Sequence, residues 1–157
     1  MAKEVERKFL VTSDVWRGAS ASVSRIEQFY LALAEGRSVR IRIKDGMRAV
    51  ITLKFGRNAK VRDEFEFPVP VEGACEMRAF AIGHIIDKTR HLVPHAGHVF
   101  EVDQFHGDLD GLVLAELETT DDILDTALPS WLGREVTGEN DYYNAVLATL
   151  GRPAERK

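Results

Sequence analysis

The most persistent pattern along the chain is strict alternation of apolar and polar positions, the period of a β-strand whose two faces meet different surroundings. Residues 4–10 place Glu4, Glu6 and Lys8 on one face and Val5, Phe9 and Val11 on the other, with Arg7 interrupting the apolar side. Residues 25–33 read as a strand that contains Gln28 and Tyr30. Residues 39–44 set Arg40, Arg42 and Lys44 against Val39, Ile41 and Ile43. Asp45-Gly46 is a two-residue hairpin signal. It leads into 48–55, where Thr52 and Lys54 oppose Ile51, Leu53 and Phe55. Residues 61–69 carry Arg62, Glu64 and Glu66 opposite Phe65 and Phe67, and Pro68 and Pro70 end the run. Three more strands follow: 85–92 with Lys88 and Arg90, 99–105 with Glu101 and Asp103, and 112–118 with Glu116 and Glu118.

Helical spacing is scarcer. A short turn starts at Ser13-Asp14, and 72–82, 120–127 and 140–150 have helical spacing, the last ended by Gly151 with Pro153 beyond it. The expected class is therefore α+β. Hairpin-length connections imply antiparallel pairing. Eight such strands can close into a barrel flanked by a few helices. One domain over 1–157 is expected, since 157 residues suit a single core.

The content of the polar faces changes the picture. Strand after strand carries strong charges rather than the usual mixture of Thr, Ser and Gln. One reading is a sheet with a wet face and scattered surface ion pairs, and for any single strand that is the ordinary case. The other reading turns the charges inward and the apolar faces outward, under helices such as 72–82, 121–127 and 140–150. Buried charges need partners, a metal or a ligand to offset desolvation, so such an interior would be a site. Its chemistry suits polyphosphate. Arg and Lys from several strands can surround a chain of anionic oxygens, with arginine forks binding bidentately. The near-equal number of carboxylates makes sense if a hard divalent cation, Mg²⁺ or Mn²⁺, sits among them. Residues two apart on a strand lie roughly 6.5–7 Å apart on one face, so Glu4 and Glu6 can share a cation, and Glu116 and Glu118 repeat that arrangement.

Composition narrows the alternatives. Apolar residues make up 45% and charged residues 29% of the chain, the balance of a globular protein. A net charge of −4 argues against a nucleic acid polymer or an anionic membrane as partner. The single cysteine, Cys75, fits a reducing compartment and reads as a small core residue. No signal-peptide pattern opens the chain and no apolar stretch spans a bilayer, so a cytoplasmic location is expected.

The order of motifs resembles the CYTH superfamily, the triphosphate tunnel metalloenzymes, in its bacterial branch. Glu4-Val5-Glu6-Arg7-Lys8 matches the Glu-x-Glu-x-Lys signature. Gln28-Phe29-Tyr30-Leu31, Val39-Arg40-Ile41-Arg42, Thr52-Leu53-Lys54, Arg62-Asp63-Glu64-Phe65-Glu66, Lys88-Thr89-Arg90, Phe100-Glu101-Val102-Asp103-Gln104-Phe105 and Ala115-Glu116-Leu117-Glu118 follow in order. The segment Trp131-Leu132-Gly133-Arg134-Glu135-Val136-Thr137 and Tyr143-Asn144 extend the match. The resemblance implies a closed eight-stranded tunnel with the charges inside, and hydrolysis of inorganic tripolyphosphate, nucleoside triphosphates or thiamine triphosphate. One branch cyclises ATP. It implies Glu4, Glu6 and Glu118 as metal ligands with Glu116 close by. Lys8, Arg40, Arg42, Lys54, Arg62, Lys88 and Arg90 become the phosphate-binding set. Glu64, Glu66, Glu101 and Asp103 become carboxylates that hold the basic residues or a second metal. Tyr30 resembles a tunnel tyrosine near the phosphates, and the expected catalytic set is Lys8, Tyr30 and Lys88.

The competing readings are an adenylyl cyclase and a non-catalytic polyphosphate-binding module. The many carboxylates count against the module. His91, His95 and His98 read as loop histidines rather than zinc ligands, because Pro94 and Gly97 break any helix that would align them. Arg7 is expected in a surface ion pair. Residues 140–150 are compatible either with one barrel end or with the outer wall. A homodimer is compatible with the resemblance, though nothing in the sequence requires one.

Overall fold

The computed structural model describes residues 5–56 and 62–153. Its strands are β1 (Val5–Leu10), β2 (Ser22–Ala34), β3 (Arg37–Lys44), β4 (Arg48–Gly56), β5 (Arg62–Val69), β6 (Ile82–His95), β7 (His98–Phe105) and β8 (Val113–Thr119). They form one antiparallel sheet in the order β1-β8-β7-β6-β2-β3-β4-β5. The β3–β4 turn puts both Asp45 and Gly46 at positive φ (53° and 65°), as a tight hairpin turn of the primed type requires. The β6–β7 turn uses Ala96 and Gly97 in the same way, at 50° and 81°.

Helix is sparse. The expected helix at 72–82 is α1 (Val71–Met77) followed by a 3₁₀ turn, and 120–127 is only a 3₁₀ turn at Asp125–Ala127. Residues 140–150 split into a 3₁₀ turn and α2 (Asn144–Leu150).

The expectation of a closed barrel is corrected. Among the described residues, β1 and β5 form no ladder with each other. The reason lies in the free edge of β1, whose backbone groups are already taken by residues 133–137. The Leu10 amide donates to the Arg134 carbonyl, the Val136 amide to Lys8, and the Gly133 amide to Leu10. The other edge, β5, carries Glu64, Glu66 and Pro68, which discourage pairing with a further strand.

The sheet still curls strongly. Lys54 on β4 acts electrostatically on Glu6 of β1, although β8, β7, β6, β2 and β3 lie between them in the sheet. The outer face is apolar and covered in two places. α1 packs Ala74 on Phe29, Ile41, Ile43 and Ala49. Trp131, Leu128 and Leu132 pack with Val102, Phe100, Ala115 and Leu117. α2 does neither. Leu147 and Ala148 pack on Tyr30, Ile86, Phe105, Leu112 and Leu114, which continue the inner-face positions of their strands, so α2 closes one end of the inner face. This selects the barrel-end placement over the outer wall. It also requires Gly83 (φ 70°), where a Cβ would overlap the Ala148 carbonyl oxygen.

Candidate active site

The strand registers bring the charged positions onto one face. Glu6 lies opposite Glu118 and Lys8 opposite Glu116 across β1–β8. Glu116 faces Glu101 across β8–β7, and Arg90 faces Asp103 across β7–β6. On the far side Arg40 and Arg42 face Tyr30 and Gln28 of β2, Arg40 also faces Thr52, and Lys54 faces Glu64. Alternation alone therefore predicted the face. It could not predict that the curl brings its two halves together.

The centre is a buried ion network. Lys88 is 1% exposed and Asp103 3%, values that leave no room for solvent to compensate either charge. Lys88 Nζ lies 2.8 Å from Asp103 Oδ2, and Arg90 makes a two-pronged contact with Asp103 at 2.8 and 2.9 Å. Arg90 also reaches Glu101 at 3.0 Å. Burial works against ionisation of Asp103, but the Lys88 and Arg90 cations outweigh it and hold the carboxyl below its ordinary range. Burial, together with the repulsion of Arg90 and Arg42, lowers Lys88 to about 8, against the opposing pull of Asp103. The asymmetry is physical: one carboxylate serves two cations. Arg42 is lowered to about 10, by burial first and then by Arg40 and Arg90, and stays charged at neutral pH. Burial pushes the Tyr30 phenol up, against the charge and hydrogen bond of Arg40. Tyr30 is therefore a neutral hydrogen-bonding group, 6% exposed beside α2.

Lys8 is fixed from three sides. Its ammonium lies 3.2 Å from Glu116, donates to the Tyr142 carbonyl at 3.0 Å and sits 5.5 Å from the Tyr143 ring centre. The 142–143 contacts are site features that sequence reasoning missed, because nothing in the strand pattern places the C-terminal segment inside.

Of the four expected metal ligands, Glu4 lies outside the described residues. Glu6 and Glu116 are neighbours on this face, and burial, followed by the charge of Glu116, raises the Glu6 carboxyl above its usual value. Among the described residues no group of three acidic, histidine or cysteine side chains is already gathered for a metal. Two crowded carboxylates, one of them held toward its protonated form, nevertheless suit a hard divalent cation, which would replace that proton. Glu118 adjoins them in register.

The remaining members of the expected set are peripheral. Lys54 is half-buried, while Glu64 and Glu66 are exposed on the edge strand. The backbone of Arg62 pairs with Gly56, and its side chain lies outside the described atoms. Beyond the network a cavity of about 290 Å³ opens between Ser22, Ser24, Lys44, Arg42, Arg90 and Glu101. It is the open end of the face that α2 closes at the other.

Arg7 faces outward, as expected, paired with Glu135 at 2.7 Å and Asp125 at 3.1 Å. The expectation of loop histidines is corrected. His91 and His95 belong to β6 and His98 to β7, where long strands meet in a tight hairpin. Their partners are separate: Ser20 for His91 and Asp121 for His98.

The profile of the CYTH domain matches residues 2–144. A protein of Acetivibrio thermocellus named inorganic triphosphatase is 34% identical over 148 residues, covering 94% of each chain. One of Nitrosomonas europaea with the same name is 31% identical over 150 residues, covering 92% of this chain and 96% of its own. A crystal structure described as an inorganic triphosphatase superimposes with a TM-score of 0.72 at 29% identity, covering 94% of this chain and 95% of the other.

Proposed function

The chain belongs to the CYTH domain family, and on that premise we propose that it hydrolyses inorganic tripolyphosphate with the help of a divalent cation. The observation that carries the reading is the buried Lys88 and the half-buried Arg90 and Arg42 on one face with the neighbouring carboxylates Glu6 and Glu116. Two relatives named inorganic triphosphatase support the same substrate.

The roles follow from the charges. Arg40, Arg42, Arg90, Lys8, Lys54 and Lys88 neutralise and orient the phosphate chain, with Arg62 as a further proposed member. Asp103 keeps Lys88 and Arg90 aimed, because two cations share its two oxygens. Glu6, Glu116 and Glu118, with Glu4, would hold Mg²⁺ or Mn²⁺. When bound, that ion supplies charge neutralisation and water activation. Phosphoryl transfer needs little else than positioning and charge. Tyr30 remains protonated and serves as a hydrogen-bond donor beside the phosphates.

A product analysis tests this. Purified protein with Mg²⁺ or Mn²⁺ is given tripolyphosphate, ATP and thiamine triphosphate. Orthophosphate released fastest from tripolyphosphate is the expected outcome. Cyclic AMP from ATP as the main product would replace hydrolysis by cyclisation, and tight binding without turnover would make the chain a binding module.

A further inference from the structure

The inner positions of β2, β3 and β4 carry no carboxylate. They read Ser24, Ile26, Gln28 and Tyr30, then Arg40, Arg42 and Lys44, then Val50, Thr52 and Lys54. All the inward carboxylates stand on β1, β8, β7 and β5. Within the acid-free wall two neutral polar side chains are buried. Gln28 is 0% exposed and Thr52 2%, and among the described residues neither the Gln28 Nε2 amide nor the Thr52 hydroxyl has a hydrogen-bond partner. The Nε of Arg40, which faces Thr52 across the ladder, is also unpartnered.

The orientation of Gln28 is fixed by chemistry. Arg42 Nε donates to Gln28 Oε1 at 3.1 Å, and a guanidinium has no acceptor to offer. The oxygen must face Arg42, so the NH₂ faces away from it as a free donor. The sheet is irregular on both sides of this point, with register shifts between Gln28 and Tyr30 against β6 and between Tyr30 and Ala32 against β3. Such irregularities re-aim side chains beside functional sites. Buried donors left unpaired destabilise a fold, and an anion bound against this wall would supply acceptors for them.

We propose that Gln28 and Thr52 are substrate-binding residues that donate hydrogen bonds to a terminal phosphate group lying against β2, β3 and β4. The inference rests on the reading of the site as a triphosphate site. It adds that one end of the substrate is held by neutral donors and arginine without a metal ion. That arrangement selects an unsubstituted terminal phosphate, whose oxygens are all free to accept, and disfavours an esterified one.

Isothermal titration of sodium tripolyphosphate into the metal-free protein tests it, beside thermal melting. In Gln28→Leu the affinity falls about tenfold or more, the loss of hydrogen bonds to a charged acceptor, while the melting temperature stays close to the parent's, because the orphan Nε2 donor leaves the interior but Arg42 Nε loses its acceptor. Gln28→Glu keeps an acceptor for Arg42 and places an anion where the donor was, so it binds still more weakly. Either variant, folded and binding tripolyphosphate as tightly as the parent, overturns the inference and leaves the triphosphatase reading standing. Parent protein that binds no tripolyphosphate overturns both.

Discussion

At Asp103 a single buried carboxylate answers the buried Lys88 and the half-buried Arg90, so its removal should be felt in the fold as well as in the chemistry. Asp103→Asn leaves Lys88 and Arg90 without their shared anion and should cost about 3–5 kcal/mol, read as a lower urea midpoint at unchanged slope. Lys88 gives a pH signature. Its ammonium is charged below about 8 and neutral above it. Phosphate attraction is thus present at neutral pH and lost as pH rises, and kcat/KM for tripolyphosphate should fall through an alkaline limb near pH 8, since that ratio reports the free enzyme. In Lys88→Arg the limb should move well to the alkaline side. Stability has the opposite sign. Because the folded value lies below the ordinary 10.5, the unfolded chain holds more protons between those two values, and stability from this group rises with pH there. Residue identities at this centre were legible in the sequence because alternation assigns each charge to a face. Gln28 was not, since a neutral amide among charges looks like any strand residue until its burial and its Arg42 partner are seen.

At the scale of elements, the strands were legible, and so were the places of α1 and α2 along the chain, but not how short the helices are. Period-two patterns depend only on which face is apolar, and the hairpins at Asp45-Gly46 and Ala96-Gly97 punctuate them with the positive φ values that tight turns need. β6 extends three residues beyond its pattern on each side, because pairing with β2 and β7 continues past the alternating part. The placement of α2 depends on contacts far apart in sequence, which no local pattern records. Gly83 is the key to that placement. Gly83→Ala forces a side chain into the Ala148 carbonyl at a positive φ, and a loss of about 1–3 kcal/mol is expected, with a lowered melting temperature as the readout. Leu147→Ala, at a site 0% exposed, should cost about 2–5 kcal/mol. If both variants melt like the parent, α2 does not close the inner face.

For the molecule as a whole, the open order β1 to β5 and the strong curl are two sides of one arrangement. The curl brings acids of β1 and β8 within electrostatic reach of bases on β4. The backbone of residues 133–137 occupies the edge where β5 would otherwise close the ring. The eight-strand count was readable, but closure was not, because it turns on which segment wins the free edge of β1. The inner face is apolar at the end that α2 covers and charged elsewhere, so the stability and the function of the charged part depend on what is bound there. Glu6 and Glu116 are the link between the two. Glu6→Gln should reduce cation-dependent turnover by about a hundredfold or more with the fold retained in circular dichroism. The most direct measurement is the release of orthophosphate from tripolyphosphate by the purified parent protein, with Mg²⁺ and then with excess EDTA. Steady release that stops on chelation and resumes when Mg²⁺ is restored is the expected result. Release that continues unchanged in EDTA, or no release under any divalent cation, would contradict it.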